Sequence, residues 1–201
     1  LEKSRNLFQE KWYNSNRVEK INNKKNNLRI IFLLASDSPC GGVKIVFEYA
    51  NRLKDRGYDV KIYCENQYCQ KWFNLYVPIY YYKEITEIPE CDIAIGTYFT
   101  TLKNLQEVKS TLKIHFCQGY EALIYDEKKS IEKNLIKTIE DNYTKIKDKI
   151  VISSWLKEIL DPKYNIDCKL IQNGIDPYVF SLKNHGRNRI PRILIVGNYN
   201  L

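Results

Sequence analysis

The chain has 201 residues, 44% hydrophobic and 28% charged, which is enough apolar material for a packed core and too much for a disordered or fibrous chain. Lysine and arginine total 32 against 24 acidic residues, a net charge of +8 that admits nucleic acid, an anionic membrane surface or phosphorylated ligands as partners. No apolar run approaches the ~20 residues of a membrane-spanning helix, and the opening LEKSRNLFQEKWYNSN lacks the apolar core and cleavage site of a secretory signal.

Many of the lysines alternate with acids, as in KEITEIPE and DEKKSIEKNLIK, the pattern of a solvated helix face. No recognition-helix, zinc-finger or RNA-binding sheet signature is present, so nucleic acid is not an expected partner. Six cysteines are scattered without a C-x-x-C pair, most of them in strand-like runs where a thiol packs as a small hydrophobe. That usage fits a reducing cytoplasm and no structural zinc. The chain starts at Leu1, contains no methionine and stops in RILIVGNYNL, a strand and turn cut short; we read it as a piece of a longer protein.

Residues 1–27 are polar, end in the linker-like INNKKNN, and carry Leu7, Phe8 and Trp12 as the makings of one short sticky helix. From Leu28 the pattern alternates. LRIIFLLA is a buried-strand run, and a Gly41-Gly42 pair then opens a helix with Val43, Val46, Phe47, Ala50 and Leu53 on one face. Gly57 stops that helix. DVKIYC, VPIYYY and CDIAIGT are the next strands, YFTTLKNLQEV a helix and TLKIHFC a strand. A helical region follows from about Glu121 to Thr144, with Ile131, Leu135 and Ile139 on one face. KIVIS (strand), SWLKEIL (helix, with Trp155 in the core) and CKLIQ (strand) lead to the turn NGIDP, and RILIVG opens a new strand.

Strands alternating with helices predict an α/β fold, a Rossmann-like parallel sheet covered on both faces. Ligands of such sheets sit at the carboxyl ends of the strands, where Gly41-Gly42, Thr97, Gln118, Ser153 and Asn173 all fall. A helix start presents unpaired N–H groups and a partial positive charge, so a phosphate binds there without side chains if the backbone is bare. The alternative is a tight turn that needs positive φ. Gln118, Tyr120 and Glu121 follow a strand end and have the amide, ring and carboxylate that read sugar hydroxyls, although Glu121 can equally cap the next helix. Mid-strand His115 reads as core, Asp176 before Pro177 as a cap, and Cys40, next to the glycines at a helix start, has no base beside it to make a nucleophile.

The run GGVKIVFEYANRLKDRGYDVKIY resembles the first strand-loop-helix-strand unit of family-four glycosyltransferases of the two-domain GT-B fold, with Ala50, Leu53, Arg56, Gly57 and Val60 in place. Tyr58 stands where that family usually has His, and Lys44 where it often has Glu. VISSWLKEIL and IQNGIDPYVF are similar to two further elements of the family, and LKIHFCQGYEALIY resembles a segment of enzymes that build rhamnose-containing and other bacterial surface polysaccharides. Many relatives carry His-Asp where this chain has Gln118-Gly119.

Composition makes 1–27 a polar leader or linker, and the resemblance implies an acceptor-side domain at 28–183 and, at 184–201, a linker with the first strand of a truncated donor-binding domain. It implies retaining, metal-independent transfer from a nucleotide-sugar to a glycan or lipid-linked acceptor, and the +8 charge with its lysine-rich helix faces points to peripheral attachment at the anionic inner face of the cell membrane. Gly41 and Gly42 would then meet the donor diphosphate; Thr97, Gln118, Tyr120 and Glu121 would face the acceptor cleft, and Asn173-Gly174 would form the interdomain hinge. No cofactor is implied beyond the donor, and no D-x-D metal motif is present. The catalytic groups of such an enzyme lie largely in the second domain, so this piece alone would be inactive. Two other readings stay open: a non-catalytic Rossmann-like module for a carbohydrate or a partner, and a nicotinamide-dependent dehydrogenase using Glu65, which lacks G-x-G-x-x-G.

Overall fold

The computed structural model describes residues 28–68, 70–125 and 129–176. The strands are β1 (Arg29–Ser36), β2 (Asp59–Asn66), β3 (Ile79–Tyr81), β4 (Cys91–Gly96), β5 (Ser110–Cys117), β6 (Lys149–Val151) and β7 (Lys169–Leu170). The helices are α1 (Gly41–Asp55), α2 (Phe99–Glu107), α3 (Ser130–Lys145) and α4 (Ser154–Tyr164), with short 3₁₀ turns at Gln70–Trp72, Ile85–Glu87 and Glu121–Ile124. All seven strands join one parallel sheet in the order β3-β2-β1-β4-β5-β6-β7. This is the α/β Rossmann-like fold expected from the alternation of apolar runs.

The order dictates where the helices go. From β1 the chain steps outward through β2 to β3, then returns to the other side of β1 and steps outward again. Right-handed crossovers in opposite directions place their helices on opposite faces. Accordingly α1 packs Val43, Val46, Phe47 and Ala50 against Ile30, Phe32, Val60 and Ile62. On the other face Leu102 and Leu105 of α2, Ile136, Ile139 and Tyr143 of α3, and Leu156 and Leu160 of α4 cover Ile31, Leu33, Ala94 and Val151. The direction of travel reverses between β1 and β4, the place where sheets of this kind open a crevice at their carboxyl ends.

Local signals set the helix ends. Gly57 has φ of 86°; its N–H donates to Lys54 O at 2.9 Å, and the Tyr58 N–H donates to Leu53 O at 3.2 Å, which stops α1 and turns the chain into β2. Ser153 caps α4 by accepting the Leu156 N–H at 3.2 Å, and Asn165 ends it in the left-handed region.

Two expectations are corrected. The region from Glu121 splits into a 3₁₀ turn and α3, and the buried face of α3 is Ile136, Ile139 and Tyr143, with Ile131 exposed. Ile131 stands in the first turn, past the end of the sheet, so it has no strand to pack against. Trp155 is exposed because it stands outside the inward face of α4, which is formed by Leu156 and Leu160. The Asp176 carboxylate pairs with the Arg52 guanidinium at 3.5 Å, and the segment it was expected to cap lies outside the described residues. The expected leader (1–27) and the linker and strand at 184–201 lie outside the described residues.

Candidate functional site

The first turn of α1 sits at the carboxyl end of β1, beside the crevice. Its N-cap, Cys40, is extended and gives no side-chain hydrogen bond, and no acidic residue stands in the first turn. The first helical bond runs from the Lys44 N–H to Cys40 O at 3.0 Å. A side chain added at Gly41 would meet nothing within 4 Å, and one at Gly42 would touch only the Gln118 amide, at 3.5 Å from Nε2. Among the described residues the one glycine at positive φ is Gly57. Gly41 and Gly42 therefore have backbone conformations open to any residue, and the tight-turn explanation falls away. What two glycines leave here is a bare, uncapped helix start facing open space, with the local field that favours an anion.

Gln118 is the side chain that the fold adds to this place. Lying just beyond β5, it reaches across to α1 and donates from Nε2 to Gly42 O at 3.1 Å, joining residues 76 apart in sequence. Gly41, Gly42 and Gln118 are thus brought together.

The other expected site residues are spent elsewhere. Thr97 is buried beneath the crevice: its hydroxyl donates to Leu33 O at 2.8 Å, tying β4 to β1, and its N–H donates to Thr101 Oγ1 at 3.1 Å. Neighbouring Gly96 is required by packing, because a Cβ would stand 3.0 Å from both Leu102 and Leu105. Tyr120 does not offer a face for stacking a sugar. Its ring is buried against Tyr143, with centroids 5.5 Å apart, and its hydroxyl donates to Glu140 at 3.0 Å. Glu121 opens the 3₁₀ turn but points inward, accepting the Tyr143 hydroxyl. Burial raises the pKa of this carboxyl above its ordinary range, and the Tyr143 hydrogen bond opposes that rise. Asn173 and Gly174 lie beyond β7 at the far edge of the sheet; Asn173 Oδ1 is buried without a hydrogen-bond partner, and Gly174 faces open space.

Two acids at strand ends matter to the layout. Asp37, fully buried after β1, accepts the Tyr68 N–H at 2.5 Å and the Tyr81 hydroxyl at 2.9 Å, and its own carbonyl accepts Trp72 Nε1 at 2.9 Å. It pins the segment after β2 beside the helix start. Its position in ASDSPC, between a strand and the glycines, was the signal that sequence reading passed over. Glu65, the residue a dehydrogenase would use, is taken up by Tyr82 at 3.1 Å and Asn104 of α2 at 2.7 Å, on the face away from α1.

A second polar group lies inside the core between β5, β6 and α3. Paired neighbours His115 and Lys149 point toward Tyr143, whose ring meets the imidazole edge-on at 4.6 Å. Lys149 Nζ donates to Tyr143 O at 2.6 Å and to Ile146 O, satisfying carbonyls at the end of α3. Burial pushes its pKa down to about 8. His115 is fully buried with neither nitrogen hydrogen-bonded, and burial first, then the Lys149 charge, hold its pKa well below the usual value. A recess of about 380 Å³ opens beside Lys149 and Tyr164, at the amino end of the sheet and away from the glycines. Its buried ammonium already serves the end of α3, so we assign the recess to the packing of that helix.

Burial also raises the thiols of Cys64, Cys117 and Cys168 to about 12 and that of Cys91 to about 11, so none is a nucleophile at neutral pH. Among the described residues no group of three or more His, Cys, Asp or Glu side chains is placed to hold a metal ion. No helix among them is long and apolar enough to cross a membrane. Compared with known proteins, the chain matches no family model and no curated sequence, so its reading rests on its own residues.

Proposed function

We propose that the described residues form the acceptor-side half of a retaining, nucleotide-sugar-dependent glycosyltransferase that builds a surface polysaccharide or glycolipid. The observation that carries this reading is the bare start of α1. Two glycines stand there with no conformational need for glycine, at the crevice of a parallel sheet. Breaking a glycosyl-diphosphate bond leaves an oxocarbenium-like sugar and an anionic leaving group. N–H groups already aimed at that charge stabilise the transition state without reorganising. In this reading Gln118 holds the first turn of α1 against the end of β5, and the donor's base and sugar are held by a second domain.

The competing module reading draws on a different observation: Thr97, Tyr120 and Glu121, expected to read an acceptor, are internal. A dehydrogenase finds no support, since Glu65 is held on the opposite face from α1. A nucleotide-sugar transfer assay of the full-length protein separates transferase from module, and Gly41→Ala tests the helix start. With no ligand at the helix start, alanine has space and better helix propensity, so both transfer and stability hold or rise. With a diphosphate there, stability holds and transfer falls by about a hundredfold or more. Absence of sugar transfer by the full-length protein ends the transferase reading, and a variant of normal melting temperature with unchanged transfer ends the diphosphate role of the helix start.

A further inference from the structure

The cluster that holds the turn after β5 is short of one proton. The Tyr143 hydroxyl of α3 lies 2.9 Å from Gly119 O and also bonds the Glu121 carboxyl. Cys117, the last residue of β5, donates its S–H to the same Gly119 carbonyl at 3.0 Å and touches the Tyr143 oxygen at 3.5 Å. A hydroxyl carries one proton, so Tyr143 cannot donate to Gly119 and to an ionised Glu121 at once. One of the two buried acceptors goes without the phenol.

The surroundings decide which form of Glu121 fits. The titratable groups that face its buried side chain are Tyr143 from α3, Cys117 from β5 and Tyr98 from the start of α2. All three are neutral: burial pushes the Cys117 thiol and the Tyr98 phenol up to about 12, and Tyr143 further. On the other side of Tyr143, His115 is held neutral by burial, and the Lys149 ammonium is spent on the Tyr143 and Ile146 carbonyls. Among the described residues no cation pairs with the carboxyl. Burying a charge without a counter-ion costs far more than burying a neutral acid whose bonds are made. As an acid, Glu121 supplies the missing proton. Its O–H donates to the Tyr143 oxygen, Tyr143 donates to Gly119 O, and the carboxyl accepts the residue's own N–H. Every member of the cluster then has a partner.

We infer that Glu121 is a neutral carboxylic acid in the folded protein, donating to Tyr143 and so positioning the turn that carries Gln118 to the start of α1. When the acid loses its proton to solvent, that bond reverses and the phenol donates to the carboxylate. Gly119 O then keeps only the thiol, a weak donor. Gln118, one residue earlier, loses the brace behind its own bond to Gly42 O. The turn is thus a proton-sensitive latch on the open helix start. The inference rests on the count of protons and stands whether or not the chain is a transferase.

The test is infrared spectroscopy of the full-length protein at pH 6, well above the ordinary 4.5 of a glutamate. Hydrogen exchange of the 118–121 amides is followed from pH 6 upward beside it. The expected result is the carbonyl band of a protonated carboxylic acid, which moves in Tyr143→Phe and is absent from Glu121→Gln. Glutamine keeps the shape and an N–H donor, so Glu121→Gln melts at or above the native temperature. Corrected for base catalysis, native protection of the 118–121 amides falls about fivefold as Glu121 ionises, the scale of one hydrogen bond. In Glu121→Gln it stays level. Three results overturn the inference. Absence of the acid band from the native protein means that the carboxyl is ionised and Gly119 relies on the thiol. A Glu121→Gln variant that melts well below the native protein, or does not fold, means that the turn needs the charge. Protection that falls alike in both proteins means that another group governs the turn.

Discussion

Two regions of this molecule make opposite use of their chemistry. The start of α1 has almost no side chains, only Gly41, Gly42 and the Gln118 amide, yet it is open and its backbone donors are uncapped. The core between β5, β6 and α3 has imidazole, ammonium, phenol, thiol and carboxyl groups within one cluster, yet it is closed, and most of these groups satisfy one another or the backbone. Residue types alone would nominate the second region as the active site. Accessibility and spare hydrogen-bonding capacity nominate the first. A titratable cluster whose bonds are spent holds a fold together; a bare helix start has bonds still to give.

The comparison breaks most readily at Tyr143. Its ring is wholly buried, and its hydroxyl faces Gly119 O at 2.9 Å and the Glu121 carboxylate. Tyr143→Ala is expected to cost about 3–5 kcal/mol of stability, the scale of deleting a core aromatic, read by denaturant unfolding. Tyr143→Phe keeps the ring and costs about 1–3 kcal/mol by leaving buried acceptors unpaired. If either change altered transfer at unchanged stability, the core cluster would be functional and the contrast would be wrong.

The next effect in size belongs to the open region. Gly41→Ala is expected to lower transfer by about a hundredfold or more, on the order of 3 kcal/mol of transition-state stabilisation, while the melting temperature holds or rises. Gly42→Ala meets Gln118 at ordinary contact distance and should behave alike. Full activity in both would remove the open region's claim.

His115 sharpens the contrast as the one member of the closed region with no hydrogen bond to either nitrogen. Replacing it with leucine is expected to stabilise the fold by about 1–2 kcal/mol, since an unpaired buried polar group is exchanged for an apolar one. The pH dependence gives a second readout. His115 and Lys149 both bind a proton more weakly folded than unfolded. The unfolded chain therefore carries the extra proton, and stability rises with pH in each window. For His115 the loss sets in as pH falls below its ordinary value of 6.5; for Lys149 the gain runs from about 8 up to 10.5. Unfolding free energies measured across pH should show both slopes, with the acid one weakened in His115→Leu. A flat profile below 6.5 in the native protein would mean that the imidazole is hydrated.

The smallest effect is expected at Asp176. Its pair with Arg52 is partly exposed, and Arg52 also pairs with Glu48. Asp176→Ala should change stability by about 0.5 kcal/mol or less, which a denaturation midpoint resolves. A larger loss would show that the segment after β7 is held to α1 mainly by this contact.

Much of the fold was legible in order along the chain. The apolar runs, the α1 face from Val43 to Ala50 and the Gly57 stop are local signals, and an alternation of this kind leaves a parallel sheet as the economical solution. The bare glycines were legible as a place, though sequence could not separate a ligand site from a turn until their φ angles and open surroundings were known. The rest of the candidate site was not legible. Residues just past a strand are not bound to its alternation, so whether Tyr120 and Glu121 faced the crevice or the core depended on Tyr143, more than twenty residues away on α3. Ile131 satisfies the helical period, yet it falls in a first turn that extends beyond the sheet, and Trp155 lies off the face that Leu156 and Leu160 turn to the core; neither the length of the sheet nor the face it covers is written in the period of the helix.

The amino-acid sequence by itself therefore determined which segments become strands and helices, where α1 stops, and that glycine opens it, because each follows from neighbours within a few residues. The tertiary structure alone decided that Gln118 meets Gly42 and that Thr97, Tyr120 and Glu121 are consumed internally. Those outcomes depend on which elements become neighbours, and a side chain's partners across the sheet are set by strand order and helix placement rather than by its place in the chain.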